Sequence, residues 1–192
     1  MKLRPLALLA LCAVVSLAVV PGPASAQGRR GERHCAYRLE PESRPRPHVI
    51  SARLVRIGCY ETLSKSIAAG TDGSVRVPPS TSPQDLTAAL LTRSASRLAA
   101  DTLIGTEWTN VNYGGDTRSF YADNACASVT WEVPYVGDRW NDNFESGKGF
   151  GGCDTNRKFG HVDFGGGVVT CTPNCGDYGT LRNEVSSLKW KP

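Results

Sequence analysis

The chain has 192 residues, a formal net charge of +4 and seven cysteines. Leu6 to Val20 is too short an apolar run to span a bilayer comfortably, and nothing after Gln27 approaches 18 consecutive apolar residues, so no membrane span is expected. The small net charge, and an arginine-rich leader without interleaved aromatic residues, argue against a nucleic-acid partner.

Residues 1–26 have the organisation of a secretory signal peptide. Lys2 and Arg4 form a basic start, the apolar run follows, and Ala24-Ser25-Ala26 supplies a small-x-small cleavage site. Cleavage before Gln27 leaves 166 residues, removes Cys12 and lowers the charge to +2. The six remaining cysteines form an even set in an exported chain, for which three disulfides are the direct reading. A zinc site at Cys171 and Cys175 lacks a second ligand pair at finger-like spacing.

Residues 27–100 read as an N-terminal segment. Ala36 to Leu39 and Ser51 to Ile57 suit two short strands across the proline-rich stretch Arg44-Pro45-Arg46-Pro47, which a Cys35–Cys59 bridge would staple together. Glu61 to Ala69 suits a short helix stopped at Gly70, and Pro78 to Pro83 reads as a linker. Ser82-Pro83-Gln84-Asp85 carries helix-start chemistry, with a cap, a first-turn proline and an acid near the positive end of the dipole. Leu86, Leu90, Leu91, Ala95 and Leu98 follow at helical spacing, predicting a helix over about 83–100.

From about residue 101 the character changes. All four tryptophans lie beyond this point, and short β-favouring stretches alternate with Gly, Asn and Asp turns, as in an all-β unit. Charge divides the same way: residues 27–60 hold eight Lys or Arg against three acids, residues 101–192 eight against twelve. The expected fold class is therefore α+β, with domains at 27–100 and 101–192.

Within 101–192 two motifs recur in the same order. Trp108-Thr109-Asn110-Val111-Asn112-Tyr113-Gly114-Gly115 aligns with Phe159-Gly160-His161-Val162-Asp163-Phe164-Gly165-Gly166, each reading aromatic-x-x-x-x-aromatic-x-Gly. Trp140-Asn141-Asp142-Asn143-Phe144-Glu145-Ser146 aligns with Leu181-Arg182-Asn183-Glu184-Val185-Ser186-Ser187. Two aromatic rings five residues apart, followed by a glycine free to take a left-handed conformation, let a hairpin fold back onto its own sheet.

These residues resemble the signature of the βγ-crystallin superfamily over about 103–190. The resemblance implies two Greek-key motifs packed as a sandwich, with Trp108, Tyr113, Gly115, Phe159, Phe164 and Gly166 as its structural positions. It also implies calcium loops that exchange ligands between the two copies. Calcium requires about six to eight oxygens, and the first loop offers Asn141, Asp142 and Asn143 but has Glu145 where the family has Ser or Thr. The second offers Asn183 and Ser186 but begins with Arg182. Crossing would combine Asn141 and Asp142 with Ser186 into one usable site. At the other, Arg182 beside Glu145 would either spoil the site or form an ion pair in place of calcium.

His161 with Asp163 could be written as a catalytic pair, but the repeat places Asn110 and Asn112 at the matching positions, which assigns both a turn role. No Gly-x-Ser-x-Gly or His-Glu-x-x-His pattern is present, so no enzyme is expected. Trp131, Tyr135 and Trp140 form a candidate sugar-binding face, with core packing the alternative. The pairs Cys35–Cys59, Cys126–Cys153 and Cys171–Cys175 are expected, the last closing the Thr172-Pro173-Asn174 turn. The resulting expectation is a secreted, non-enzymatic binding or structural protein with one calcium site. The alternative is a protease inhibitor or toxin-like effector that presents the Cys171–Cys175 loop to a secreted protease or other extracellular protein.

Overall fold

The computed structural model describes residues 33–42, 46–92 and 101–192. The expected signal peptide lies outside the described residues, as does the second half of the helix expected over 83–100.

Among the described residues the architecture is mostly β, with two short helices. This corrects the α+β class expected from sequence. The strands are β1 (His34–Pro41), β2 (Val49–Tyr60), β3 (Thr102–Asn110), β4 (Gly114–Ala122), β5 (Thr130–Val133), β6 (Ser146–Gly149), β7 (Thr155–Phe159), β8 (Val168–Cys171), β9 (Asn174–Cys175) and β10 (Ser187–Lys191). Helix α1 (Leu63–Gly70) is capped by the Thr62 hydroxyl, which accepts from the Lys65 N–H at 3.2 Å. Among the described residues helix α2 covers Ala88–Thr92. Ahead of it, Ser82 and Asp85 close a turn through side chain and backbone, the Ser82 hydroxyl donating to Asp85 at 2.6 Å and accepting from its N–H at 3.3 Å. The capping residues anticipated in the sequence thus form a local turn, and the helix begins only at Ala88.

The strands run in the order β8-β7-β10-β5-β2-β1-β4-β3-β6-β9. The two repeats occupy equivalent places in it. The first copy contributes β3, β4 and β6 to one half and passes β5 to the other, while the second contributes β7, β8 and β10 and passes β9 back. This exchange of one strand each is the Greek-key crossing that the duplicated signature predicts.

The hairpin β1–β2 is built into this arrangement. Strand β1 pairs in parallel with β4 (His34–Arg38 with Thr117–Tyr121), and the start of β2 pairs in parallel with β5 (Val49–Ser51 with Thr130–Glu132). The hairpin therefore bridges two sheet edges that would otherwise expose unpaired N–H and C=O groups. At the opposite side the outermost strands, β8 and β9, are consecutive in the chain and joined by the Cys171–Cys175 disulfide. Between them the Pro173 carbonyl accepts from the Gly149 N–H (3.1 Å) and the Asn156 amide (2.6 Å).

Two apolar clusters result. Trp131, Phe120, Trp190, Phe144, Leu188 and Leu39 fill the interior, and the hairpin residues Cys35, Tyr37 and Ala52 belong to that same core. On the outer face, Leu63 and Ile67 of α1, with Val75, Val77 and Leu86, cover Tyr121, Leu103 and Phe150. The stretch expected as a linker is thereby held down. The Ser64 hydroxyl donates to the Val77 carbonyl, and the Lys148 ammonium donates to the carbonyls of Pro83, Gln84 and Leu86 at 2.7–3.1 Å.

The remaining disulfides join Cys35 to Cys59 across directly paired positions of the hairpin, and Cys126 to Cys153 between the β4–β5 and β6–β7 connections. Three such bonds are those of a chain matured in an oxidising compartment. Among the described residues no helix is long and apolar enough to cross a membrane.

Candidate calcium site

The repeat signature fixes the site's frame. Trp108 and Tyr113 meet edge to face at 5.3 Å, and Phe159 and Phe164 do the same at 5.6 Å. Gly115 and Gly166 lie at φ +77° and +73°, where a side chain is strained. A Cβ on Gly115 would also collide with the Thr109 hydroxyl. The hydroxyls of Ser146 and Ser187 each accept from the N–H of the second aromatic (Tyr113 and Phe164, both 3.0 Å). Each donates back to the carbonyl of Asn110 or His161 (2.6 and 2.7 Å). Both loops therefore hang from matching clasps.

The loops also exchange backbone bonds. The Asp142 N–H donates to the Val185 carbonyl (3.2 Å), and its counterpart Asn183 donates to the Phe144 carbonyl (3.0 Å). Asp142 and Asn183 share a left-handed backbone, φ +57° and +54°. This crossing brings Asn141, Asp142, Asn183 and Ser186 to the wall of one open pocket of about 710 Å³, together with Tyr135, His161 and Glu184. Asn143 is not part of that wall, since its amide donates back to the carbonyls of Asn141 (2.8 Å) and Arg139 (3.3 Å).

Within the pocket, the Asn141 amide donates to the exposed Asp142 carboxylate at 2.6 Å, while its Oδ1 is buried and accepts no hydrogen bond. A buried carbonyl oxygen without a partner is costly in a folded protein. A hard cation would satisfy it, and the neighbouring Asp142 carboxylate and Ser186 hydroxyl are the oxygen donors such an ion takes. The Ser186 hydroxyl here donates to the Gly160 carbonyl at 3.2 Å. These residues fit calcium.

The second loop pair is closed by its own side chains. Both Glu145 oxygens are engaged, one by the Val111 N–H (3.1 Å) and the other by the Asn183 amide (2.6 Å). Arg182 pairs with Asp177 and not with Glu145, the alternative weighed from sequence. That guanidinium, with the Gly179 N–H, holds the Asp177 carboxyl down to about 2, well below the usual range. With both Glu145 oxygens engaged and an arginine beginning the loop, this pair does not fit calcium.

The other sequence candidates separate. Trp131 and Trp140 are 0% and 3% exposed and belong to the core, with only Tyr135 at the surface, so the three form no sugar-binding face. His161 and Asp163 sit on the fold-back turn, as the repeat requires. In the Cys171–Cys175 loop, Thr172 and Asn174 are exposed.

No family model and no curated protein sequence matches the chain. Among solved structures, part of the chain is similar to βγ-crystallin domains. A βγ-crystallin from an archaeon is 24% identical, covering 46% of this chain and 98% of that one with a TM-score of 0.34. One from Ciona intestinalis is 20% identical (45% and 98%, TM-score 0.35), and a domain from Clostridium beijerinckii is 17% identical (45% and 97%, TM-score 0.33).

Proposed function

We propose that this chain is an exported, non-enzymatic binding or structural protein built on a βγ-crystallin-like double Greek key, with a single calcium site formed by Asn141, Asp142 and Ser186. The observation that carries the reading is the buried, unpartnered Asn141 Oδ1 beside an exposed carboxylate in an open pocket. Bound there, calcium would tie the first copy's loop to the second copy's and so brace the crossing between the two halves of the sandwich. Three protein donors fall short of the six to eight oxygens calcium takes, so solvent completes the shell. Export is supported by the signal-like N-terminus and by the three disulfides. Calcium titration calorimetry on the wild type and on Asp142→Ala tests the proposal: one site is expected in the first and none in the second.

A further inference from the structure

Glu107 and Lys158 immediately precede the first aromatic of each copy, so the duplication places them at equivalent positions. They meet at the centre of the fold. Both side chains are 0% exposed, and the Lys158 ammonium lies 2.5 Å from Glu107 Oε1. Glu107 is on β3 and Lys158 on β7, strands that lie in different halves of the layer. The Tyr178 hydroxyl donates to the other carboxyl oxygen, Oε2. The Trp190 ring lies 5.4 Å from the Lys158 nitrogen, and its indole N–H is buried without an acceptor. Gly147 keeps room for the cluster, since a Cβ there would collide with the Tyr178 hydroxyl and lie 2.5 Å from Glu107 Oε2.

We infer that Lys158 and Glu107 condense into an intramolecular isopeptide bond that joins the two copies covalently. The Lys158 amine nitrogen attacks the Glu107 carboxyl carbon, and a C–N bond forms as the C–OH bond breaks. The amine proton and the hydroxyl depart together as water, with no oxidant or reductant involved. Tyr178 supplies the hydrogen bond that polarises the carboxyl as charge builds on its oxygen. Fixing both partners in contact replaces a bimolecular encounter with effective concentrations of about 10⁵–10⁸ M, and a site closed to solvent disfavours the reverse hydrolysis. Burial acts in the same direction on both groups. It raises the Glu107 carboxyl and lowers the Lys158 ammonium, favouring the neutral acid and neutral amine that react over the ion pair that does not.

Peptide mass mapping of the reduced, alkylated, trypsin-digested full chain decides the matter. The bond predicts a branched species in which the peptide Leu98–Arg118 is linked to Lys158–Arg182, lighter than their sum by one water, with no cleavage after Lys158. Recovery of unlinked Leu98–Arg118, with cleavage after Lys158, from protein incubated folded until its mass is constant would overturn the inference and leave a buried ion pair. In a cell-free synthesis time course Tyr178→Phe, which keeps the ring and loses the donor, should accumulate the branched species about 100-fold more slowly. An unchanged rate would overturn the role given to Tyr178.

Discussion

If the β1–β2 hairpin closes the sandwich, then removing its staple should destabilise the whole molecule. Cys35 and Cys59 are 24 residues apart in sequence and face each other in the hairpin register, with Cys35 fully buried in the main core. Replacing both by alanine leaves the ladders intact and releases the loop constraint on the unfolded chain, a loss of about 3.5 kcal/mol for a loop of this length. For a chain of this size each kcal/mol moves the melting temperature by about 2–4 °C, so a fall of about 7–14 °C is expected. Differential scanning calorimetry of the oxidised double variant supplies the measurement. Because the hairpin is paired on both sides, with β4 and with β5, the loss should appear as a downward shift of one cooperative transition. A main transition that stays within about 2 °C of wild type, preceded by a separate small transition, would refute the reasoning and make the hairpin an appendage.

Further outcomes can be checked independently. Gly105→Ala should destabilise by about 1–3 kcal/mol in urea unfolding, since the new Cβ would run into the Trp190 indole, 2.7 Å from its Cε2. Lys148→Met, which removes the donor to three backbone carbonyls, should weaken the seating of residues 83–91 by about 1.5–3 kcal/mol, read as faster amide exchange confined to that segment. The Asp177 carboxyl is held low by Arg182 in the folded state, so its contribution to stability is present above the ordinary aspartate range and is lost as pH falls toward about 2. Arg182→Ala should return that titration to the ordinary range in a carboxyl-carbon NMR experiment and remove this part of the acid limb. Glu145→Ser with Arg182→Asp should open the second loop pair, giving two calorimetric calcium sites where the wild type has one.

The duplicated half was readable because its constraints are local. An aromatic, a second aromatic five residues on and a glycine that must sit at positive φ leave the same imprint twice, and both ring pairs and both clasping serines occupy matching geometry. The cysteine pairs followed from the same economy of short loops. The place of the N-terminal segment was not readable, because parallel pairing of β1 with β4 and β2 with β5 depends on which sheet edges the duplicated part leaves open, a property of the assembled fold. The expectation that a helix starts at about residue 83 rested on the Ser82 cap and the leucine spacing after it, yet Leu86 is buried against the outer face of the sheet by a turn, and α2 starts two residues later. At the candidate site the crossing of loops was anticipated, but the partner of Arg182 was not. Asp177 lies only five residues away, just beyond the stretch that the repeat aligned. Glu107 and Lys158 carried a signal that passed unused: opposite charges at equivalent positions of two motifs related by duplication are placed to meet.

The most direct test of the calcium reading is a melting curve of the wild-type protein with and without several millimolar calcium, paired with calorimetric titration. Saturable heat at one site and a melting temperature that rises with calcium are expected, since an ion bound only to the folded form stabilises it by about 2.7 kcal/mol at 100 times its dissociation constant. Both effects should vanish in Asp142→Ala. A wild-type melting curve unmoved by calcium, with no binding heat, would contradict the assignment of the Asn141–Asp142–Ser186 pocket.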